Sequence, residues 1–214
     1  MNAYLLEDGD GVVVFDAGEK GMAPAIAAAA ERMGGLKQVV LGHADTDHRG
    51  SAPALSRLAP VVCHPDAVAE AQGGGGRSYW DMSRLPPLPR ALHRFLHRFV
   101  WDGGPVRISG TVAAGDEIAG FEVVELAGHA PGLIGLWRAS DRVALVSDTV
   151  YLTDLLGRRV PAHVPHVAYD LDIARARASI RRLAELDPLI VGVGHLGPMR
   201  GPGVRAELEA AAAA

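Results

Sequence analysis

Cysteine is almost absent from this chain. Cys63 stands alone among 214 residues, so no intrachain disulfide can form. It closes the apolar run Pro60-Val61-Val62, which fits a buried, inert thiol. A surplus of positive charge is missing too: the formal net charge of −4 offers no general attraction to nucleic acid. No apolar run is long enough to span a bilayer, so no transmembrane segment is expected. The opening Met1-Asn2-Ala3-Tyr4 has neither the basic nor the apolar region of a secretory leader, which makes the cytoplasm the expected location. Hydrophobic residues make up 49% of the chain and charged ones 21%, which excludes a disordered polyampholyte. The length suits one sizeable core, so residues 1–214 are read as a single domain. No solenoid-type repeat is present.

Against this spare background one stretch is dense in chemistry. Leu41-Gly42-His43-Ala44-Asp45-Thr46-Asp47-His48-Arg49-Gly50 carries four potential metal ligands, His43, Asp45, Asp47 and His48. It follows Leu36-Lys37-Gln38-Val39-Val40-Leu41, a short apolar run that reads as a buried strand. Loops that leave rigid strands are common places for sites. Imidazole mixed with carboxylate suits Zn, Fe, Mn or Co.

An Asp/His-rich loop by itself is more often a solvated turn. Three later residues change the balance. His129 follows the strand-like Phe121-Glu122-Val123-Val124-Glu125-Leu126, Asp148 follows Val143-Ala144-Leu145-Val146-Ser147, and His195 follows Leu189-Ile190-Val191-Gly192-Val193-Gly194. Each stands where a β run stops and a Gly, Ser or Pro turn begins.

This ordered set resembles the metallo-β-lactamase superfamily of metal-dependent hydrolases. The resemblance covers nearly the whole chain. The segment from Asn2 to Gly18 looks like the family's opening hairpin with its Asp-x-Gly turn, here Asp16-Ala17-Gly18. The cluster at His43 looks like the His-x-His-x-Asp-His motif. The resemblance implies an αββα sandwich, two mixed sheets face to face with helices outside. It implies two divalent metal ions, Zn first, with Fe or Mn as alternatives. His43 and His129 would hold the first; Asp47, His48 and His195 the second; Asp148 would bridge them. Asp47 and Asp148 would be the catalytic carboxylates, and Asp16 and Ser147 would orient ligands. Relatives usually carry another strand before the Asn-x-Tyr-Leu segment, so an exposed sheet edge is expected here.

One departure is central. Asp45 stands where the family has its second His. If it ligates, three carboxylates and four imidazoles surround the metals, which favours harder ions such as Mn or Fe although Zn also accepts Asp oxygen. If its shorter side chain misses, the site is half filled or mononuclear.

Periodicity predicts strands near 3–7, 12–15, 37–41, 60–63, 106–108, 111–113, 121–126, 133–138 and 143–146, and a last strand at 189–193. Helices are expected over Met22–Met33, Ser51–Leu58, near 65–71, over Leu171–Leu186 with Asp170 or Asp172 as cap, and from Glu207 onward. Gly73–Gly76 is expected to break the chain. The segment 77–107 is distinct: Arg77, Arg84, Arg90, Arg94, Arg98 and Arg107 accompany Trp80 and Trp101. An apolar stripe of Leu88, Leu92, Phe95, Leu96 and Phe99 recurs at helical spacing. It reads as a lid or wall, or as a homodimer patch or membrane-surface helix; the plain alternative is an outer helix with solvated arginines. His93 and His97 lack the Glu of a zincin motif and read as surface residues. His64 reads as structural. His163, His166, Tyr151 and Tyr169 lie close enough in sequence to Asp148 to face a pocket.

The expected activity is hydrolysis of an ester, thioester or lactone by a metal-activated hydroxide, with a basic, apolar wall suited to an acyl chain bearing a polar or anionic head. The partner is then a small-molecule substrate. Two alternatives stand beside it: an Fe(II) redox enzyme similar to the superfamily's sulfur dioxygenases, built on His43, His129 and Asp148, and a metal-stabilised binding protein without turnover.

Overall fold

The β-rich, valine-heavy first third of the chain folds as one sheet. In the computed structural model, which describes residues 1–214, strands β1 (Tyr4–Asp8), β2 (Gly11–Phe15), β3 (Leu36–Val40), β4 (Val61–Cys63) and β5 (Gly110–Thr111) lie in sequential order. The first pair is antiparallel and the rest are parallel. A second sheet takes β6 (Glu117–Ile118), β7 (Phe121–Glu125), β8 (Ile134–Arg138) and β9 (Val143–Ser147). A separate ribbon pairs β10 (Tyr151–Thr153) with β11 (Arg159–His163). The second sheet is completed by β12 (Ile190–Val193) and β13 (Met199–Arg200) in the order β13-β12-β9-β8-β7-β6. Only its β9–β12 pair is parallel.

Strand β2 is buried along its whole length because both of its faces are covered. Alternation sends Val13 and Phe15 into a layer with Phe121, Val123, Ile134 and Leu136 of the second sheet. It sends Val14 to the opposite face, against Ile26 and Leu55 from helices α1 (Ala23–Arg32) and α3 (Ala52–Leu55). A short helix α2 (Thr46–Arg49) lies between them, and α4 (Pro87–Leu96) belongs to the Arg-rich segment. The outer face of the second sheet is covered by α5 (Ile173–Glu185) and α6 (Val204–Ala213), with Ile180, Leu183 and Leu208 wholly buried. Each such side chain contributes roughly 1.5–3 kcal/mol of burial. The layer order is αββα, as expected.

Several elements differ from the sequence reading. Residues 106–108 form no strand: the Val106 N–H bonds to the Ala71 carbonyl at 2.9 Å and the chain joins the sheet only at Gly110–Thr111. The 189–193 run is not the last strand, because β13 returns antiparallel to it. The glycine run breaks the chain at Gly75, whose φ of 60° is left-handed, while Gly73 and Gly74 still belong to a helical turn. The terminal helix begins at Val204 and packs against α5. Asp172 caps α5, accepting from the N–H groups of Ala174 and Arg175 at 2.9 and 3.0 Å. No helix is long and apolar enough to cross a membrane.

Parallel strands bring their C-terminal ends to one edge of the sandwich. There β2 delivers Asp16, β3 delivers His43, β9 delivers Asp148 and β12 delivers His195.

Candidate metal centre

The loop after β3 is polar and yet buried from Leu41 to Gly50. Buried backbone needs partners, and it has them. Gly42 donates its N–H to Asp16 Oδ1 at 2.8 Å, and its carbonyl accepts from the Ile134 N–H of the second sheet at 2.8 Å. The Asp45 carbonyl accepts from the N–H groups of His48 and Arg49, both at 2.9 Å, starting α2 and turning Asp47 and His48 inward. Arg49, fully buried, clamps the base of the loop by donating to the Glu70 and Ala71 carbonyls and to Asp102.

Three imidazoles are held by one nitrogen each. Ser147 Oγ donates to Asp16 Oδ2 at 2.6 Å, so it accepts from His43 Nδ1 at 2.9 Å. His48 Nδ1 donates to Asp16 Oδ2 at 3.0 Å, and His129 Nδ1 to Asp170 Oδ1 at 2.8 Å. These partners fix the tautomer and leave each Nε2 lone pair free. All three Nε2 atoms, together with Asp148 Oδ1, are buried with no hydrogen-bond partner. Such orphans are costly unless something outside the polypeptide fills the space between them. Asp16 and Ser147 both take left-handed backbone, at φ 58° and 46°, a strain of roughly 1–3 kcal/mol each that the surrounding bonds hold in place.

The free atoms converge. His43, His129 and Asp148 form one group of mutually close donors; Asp47, His48 and His195 form another. Asp148 spans them, with Oδ1 3.0 Å from His48 Nε2 and Oδ2 3.2 Å from His195 Nε2 and 3.8 Å from His129 Nε2. His195 Nε2 lies 3.6 Å from Asp47 Oδ2. Asp45 reaches the first group: its Oδ2 is 3.5 Å from both His43 Nε2 and His129 Nε2. Two side chains unforeseen from the sequence hold it there. Tyr79 donates its hydroxyl to Asp45 Oδ1, and Trp80 donates Nε1–H to Oδ2 at 3.2 Å.

The electrostatics call for positive charge. Burial works to lower the pKa of His48, but Asp148 and Asp16 outweigh it and raise the pKa well above normal. Burial likewise opposes His129, whose bond to Asp170 and nearness to the Asp45 carboxylate raise it to about 10. Burial works to raise Asp45 and Asp148; the facing histidines pull both well down. A buried set of ionised carboxylates around imidazole lone pairs fits one or two divalent cations, by donor type and by the unpartnered atoms.

Asp45, Asp47 and His195 of the centre line a cavity of about 500 Å³. Tyr151 lines it and donates to Asp148 Oδ2 at 2.6 Å. His163, His166 and Tyr169 line it as well. The Arg-rich segment contributes Trp80, Pro89, Leu92, His93, Leu96 and Trp101. The wall facing the centre is therefore apolar and aromatic but not basic, which corrects the sequence expectation. Its arginines turn elsewhere: Arg84 pairs with Asp81 at 2.9 Å, and Arg90 donates to the Ser83 and Leu85 carbonyls, both at 2.8 Å. The apolar stripe splits, with Leu88, Phe95 and Phe99 facing solvent. His93 is buried rather than at the surface, stacked on Tyr169 at 5.3 Å between ring centroids. Asp170, a cap candidate by sequence, holds His129 instead. His64 caps a short helical turn, accepting from Asp66 N–H at 3.2 Å.

Comparison with known proteins agrees with this architecture. The metallo-beta-lactamase superfamily model matches residues 2–195. The probable metallo-hydrolase YflN of Bacillus subtilis (strain 168) is 26% identical over 238 residues, covering 97% of this chain and 84% of that protein. Among solved structures, TTHA1623 in a di-iron-bound form superposes with a TM-score of 0.70 at 24% identity, covering 96% of this chain and 91% of that one. The metallo-beta-lactamase family protein TTHA1429 from Thermus thermophilus gives 0.68 at 23% identity, covering 99% and 73%. At these identities the structural likeness speaks for the fold. Together with the family match along residues 2–195, it establishes that this chain belongs to the metallo-β-lactamase superfamily.

Proposed function

We propose that this chain is a metal-dependent hydrolase of esters, thioesters or lactones. His43, Asp45 and His129 would hold one divalent cation and Asp47, His48 and His195 a second, with Asp148 between them. Zn is the proposed ion, and the three carboxylates also suit Fe or Mn. The observation that carries this reading is the set of buried, unpartnered donors, His43 Nε2, His48 Nε2, His129 Nε2 and Asp148 Oδ1, grouped with Asp45, Asp47 and His195, which line a largely apolar cavity.

Divalent cations held there supply Lewis acidity, lowering the pKa of a water from ~15.7 toward ~7 and polarising a carbonyl oxygen. The chain's own residues do the rest. Asp47 borders the cavity and accepts the proton released by the attacking water. Asp148 fixes the histidines on either side of it. Tyr151 remains protonated, because burial and the Asp148 charge raise its pKa well above the ordinary value. Turned away from Asp148 Oδ2, its hydroxyl could donate a hydrogen bond to a developing oxyanion or a proton to a leaving group. Leu92, Leu96 and Trp101 shield this chemistry from bulk water and receive the acyl portion. Residues 1–214 are read as one domain, with 77–107 as the wall of its site.

Elemental analysis of the untreated protein, followed by an ester, thioester and lactone panel at full metal occupancy, tests the reading. Turnover of at least one class is expected. Full occupancy with no turnover would overturn it. A second reading, an iron-dependent oxygenase acting on a persulfide, is favoured by the third carboxylate, Asp45, and gives oxygen uptake with co-purified iron in place of hydrolysis.

A further inference from the structure

The cavity above the centre has 19 lining residues, and none is lysine or arginine. The chain carries 21 such residues, six of them arginines in the adjoining segment 77–107, so this is not a shortage of cations. They are directed elsewhere. Arg77 faces Asp102 at 3.7 Å, Arg84 is held by Asp81, and Arg90 by backbone carbonyls. At the rim, Asp154 lines the cavity and holds Arg158 at 2.7 Å. The ionic side chains that do line the cavity are Asp45, Asp47 and Asp154. Of the lining histidines, His166 accepts the Ala168 N–H at Nδ1 at 3.1 Å, which keeps that ring neutral, and His163 spends its Nδ1–H on the Pro161 carbonyl at 3.0 Å.

The centre itself adds little attraction for an anion. Asp45, Asp47 and Asp148 would leave two divalent cations a single net positive charge, and Asp16 and Asp170 stand directly behind His48 and His129. A substrate carboxylate or phosphate entering the apolar part would lose its water and gain no fixed counter-charge. An uncharged acyl chain would meet Leu92, Leu96, Trp80 and Trp101 and displace weakly held water.

We propose that this site selects uncharged substrates, namely esters or lactones whose acyl group carries no anionic head, and discriminates against anionic ones. The proposal rests on the hydrolase reading above and deepens it. The test uses the full chain at full metal occupancy with two esters that share leaving group and acyl length, para-nitrophenyl hexanoate and mono-para-nitrophenyl adipate. The hexanoate should be used with a kcat/KM at least ~100-fold higher. Leu92→Arg, a partly exposed wall position outside the Asp/His cluster, should narrow that preference by ~10-fold or more. Binding is followed separately, through fluorescence of Trp80 and Trp101, with hexanamide and with adipic acid monoamide. Equal or better use of the adipate, or tighter binding of the acid amide, would overturn the proposal. If neither ester turns over while hexanamide binds and the acid amide does not, the hydrolase reading fails and the charge selection stands. If neither ester turns over and neither amide binds, both are overturned.

Discussion

Tyr79→Phe isolates the role of Asp45, the residue that separates this chain from the usual motif. The phenol hydroxyl donates to Asp45 Oδ1, and Trp80 Nε1–H supplies the neighbouring oxygen at 3.2 Å. Burial and the Asp45 charge keep the phenol pKa well above its usual value, so it remains a donor across the working pH range. Phenylalanine keeps the ring and deletes only the donor. A hydrogen bond to a buried ionised carboxylate contributes about 1.5–3 kcal/mol, and its loss leaves one oxygen without a partner. At ~1.4 kcal/mol per tenfold, that is ~10–100-fold, the range seen when a ligand loses the group that orients it. Competition with a chromophoric chelator reads metal affinity, and thermal melting of metal-free and metal-loaded protein reads stability. If Asp45 is a ligand, affinity at one of the two sites falls by ~10–100-fold and the loaded protein loses more Tm than the metal-free one. A purely structural Asp45 gives equal Tm losses and unchanged affinity. Affinity within ~2-fold of the parent at both sites would refute the reasoning.

Asp170→Asn replaces the acceptor that fixes His129, held at 2.8 Å, and should cost ~10–100-fold in metal affinity; isothermal titration of the variant checks it. Gly194→Ala should abolish cation binding with the fold retained by circular dichroism, because a Cβ there would lie 1.9 Å from Asp148 Oδ1 and 2.5 Å from His48 Cε1. The need is for space, since Gly194 is not in the left-handed region. His93 gives a pH dependence: burial pushes its pKa from 6.5 down to about 4, so between these values the unfolded chain takes up the proton. Stability should therefore fall as pH drops below ~6.5 and level off below ~4, by at most about 3–4 kcal/mol at ~1.36 kcal/mol per pK unit. His93→Phe should flatten that part of the urea-denaturation profile; an unchanged slope would count against it.

The converging Asp and His side chains were readable before the structure because they stand where, or just after where, an apolar strand meets a turn, and a strand end is a local signal. The αββα layering was implied by the family resemblance and suits the order of strands and helices; that Val13 and Val14 face different layers is visible only in the fold. The supports of the site were not readable. Tyr79 and Trp80 reach Asp45 across separations of 34 and 35 residues, and no periodicity links them. Asp170 and Asp172 both look like helix caps; only the fold shows that Asp172 serves the helix and frees Asp170 for His129. His93 and His97 give a helical spacing, but spacing does not say which face of a helix meets Trp80 and Tyr169. The arginines of the same segment mislead for a related reason: composition counts charges and is silent about the direction in which they point. Strands β10 and β11 escaped because β10 has only three residues and β11 is interrupted by Pro161; the turn between them is stabilised by Asp154 accepting from the N–H groups of Leu156 and Arg158 at 2.9 and 3.0 Å.

The donors are divided between the two halves of the sandwich: His43 to His48 hang from the five-stranded sheet, and His129, Asp148 and His195 from the six-stranded one. An ion gripped by both, as proposed, would act as a rivet through the layers, resisting their sliding in a way that apolar packing, which is non-directional, does not. Occupancy would thereby add to cohesion by RT ln(1 + [ion]/Kd), about 4.1 kcal/mol at a thousandfold excess over Kd. Starving a cell of the cation would then do more than silence the protein. It would loosen the joint between its halves and shorten its lifetime.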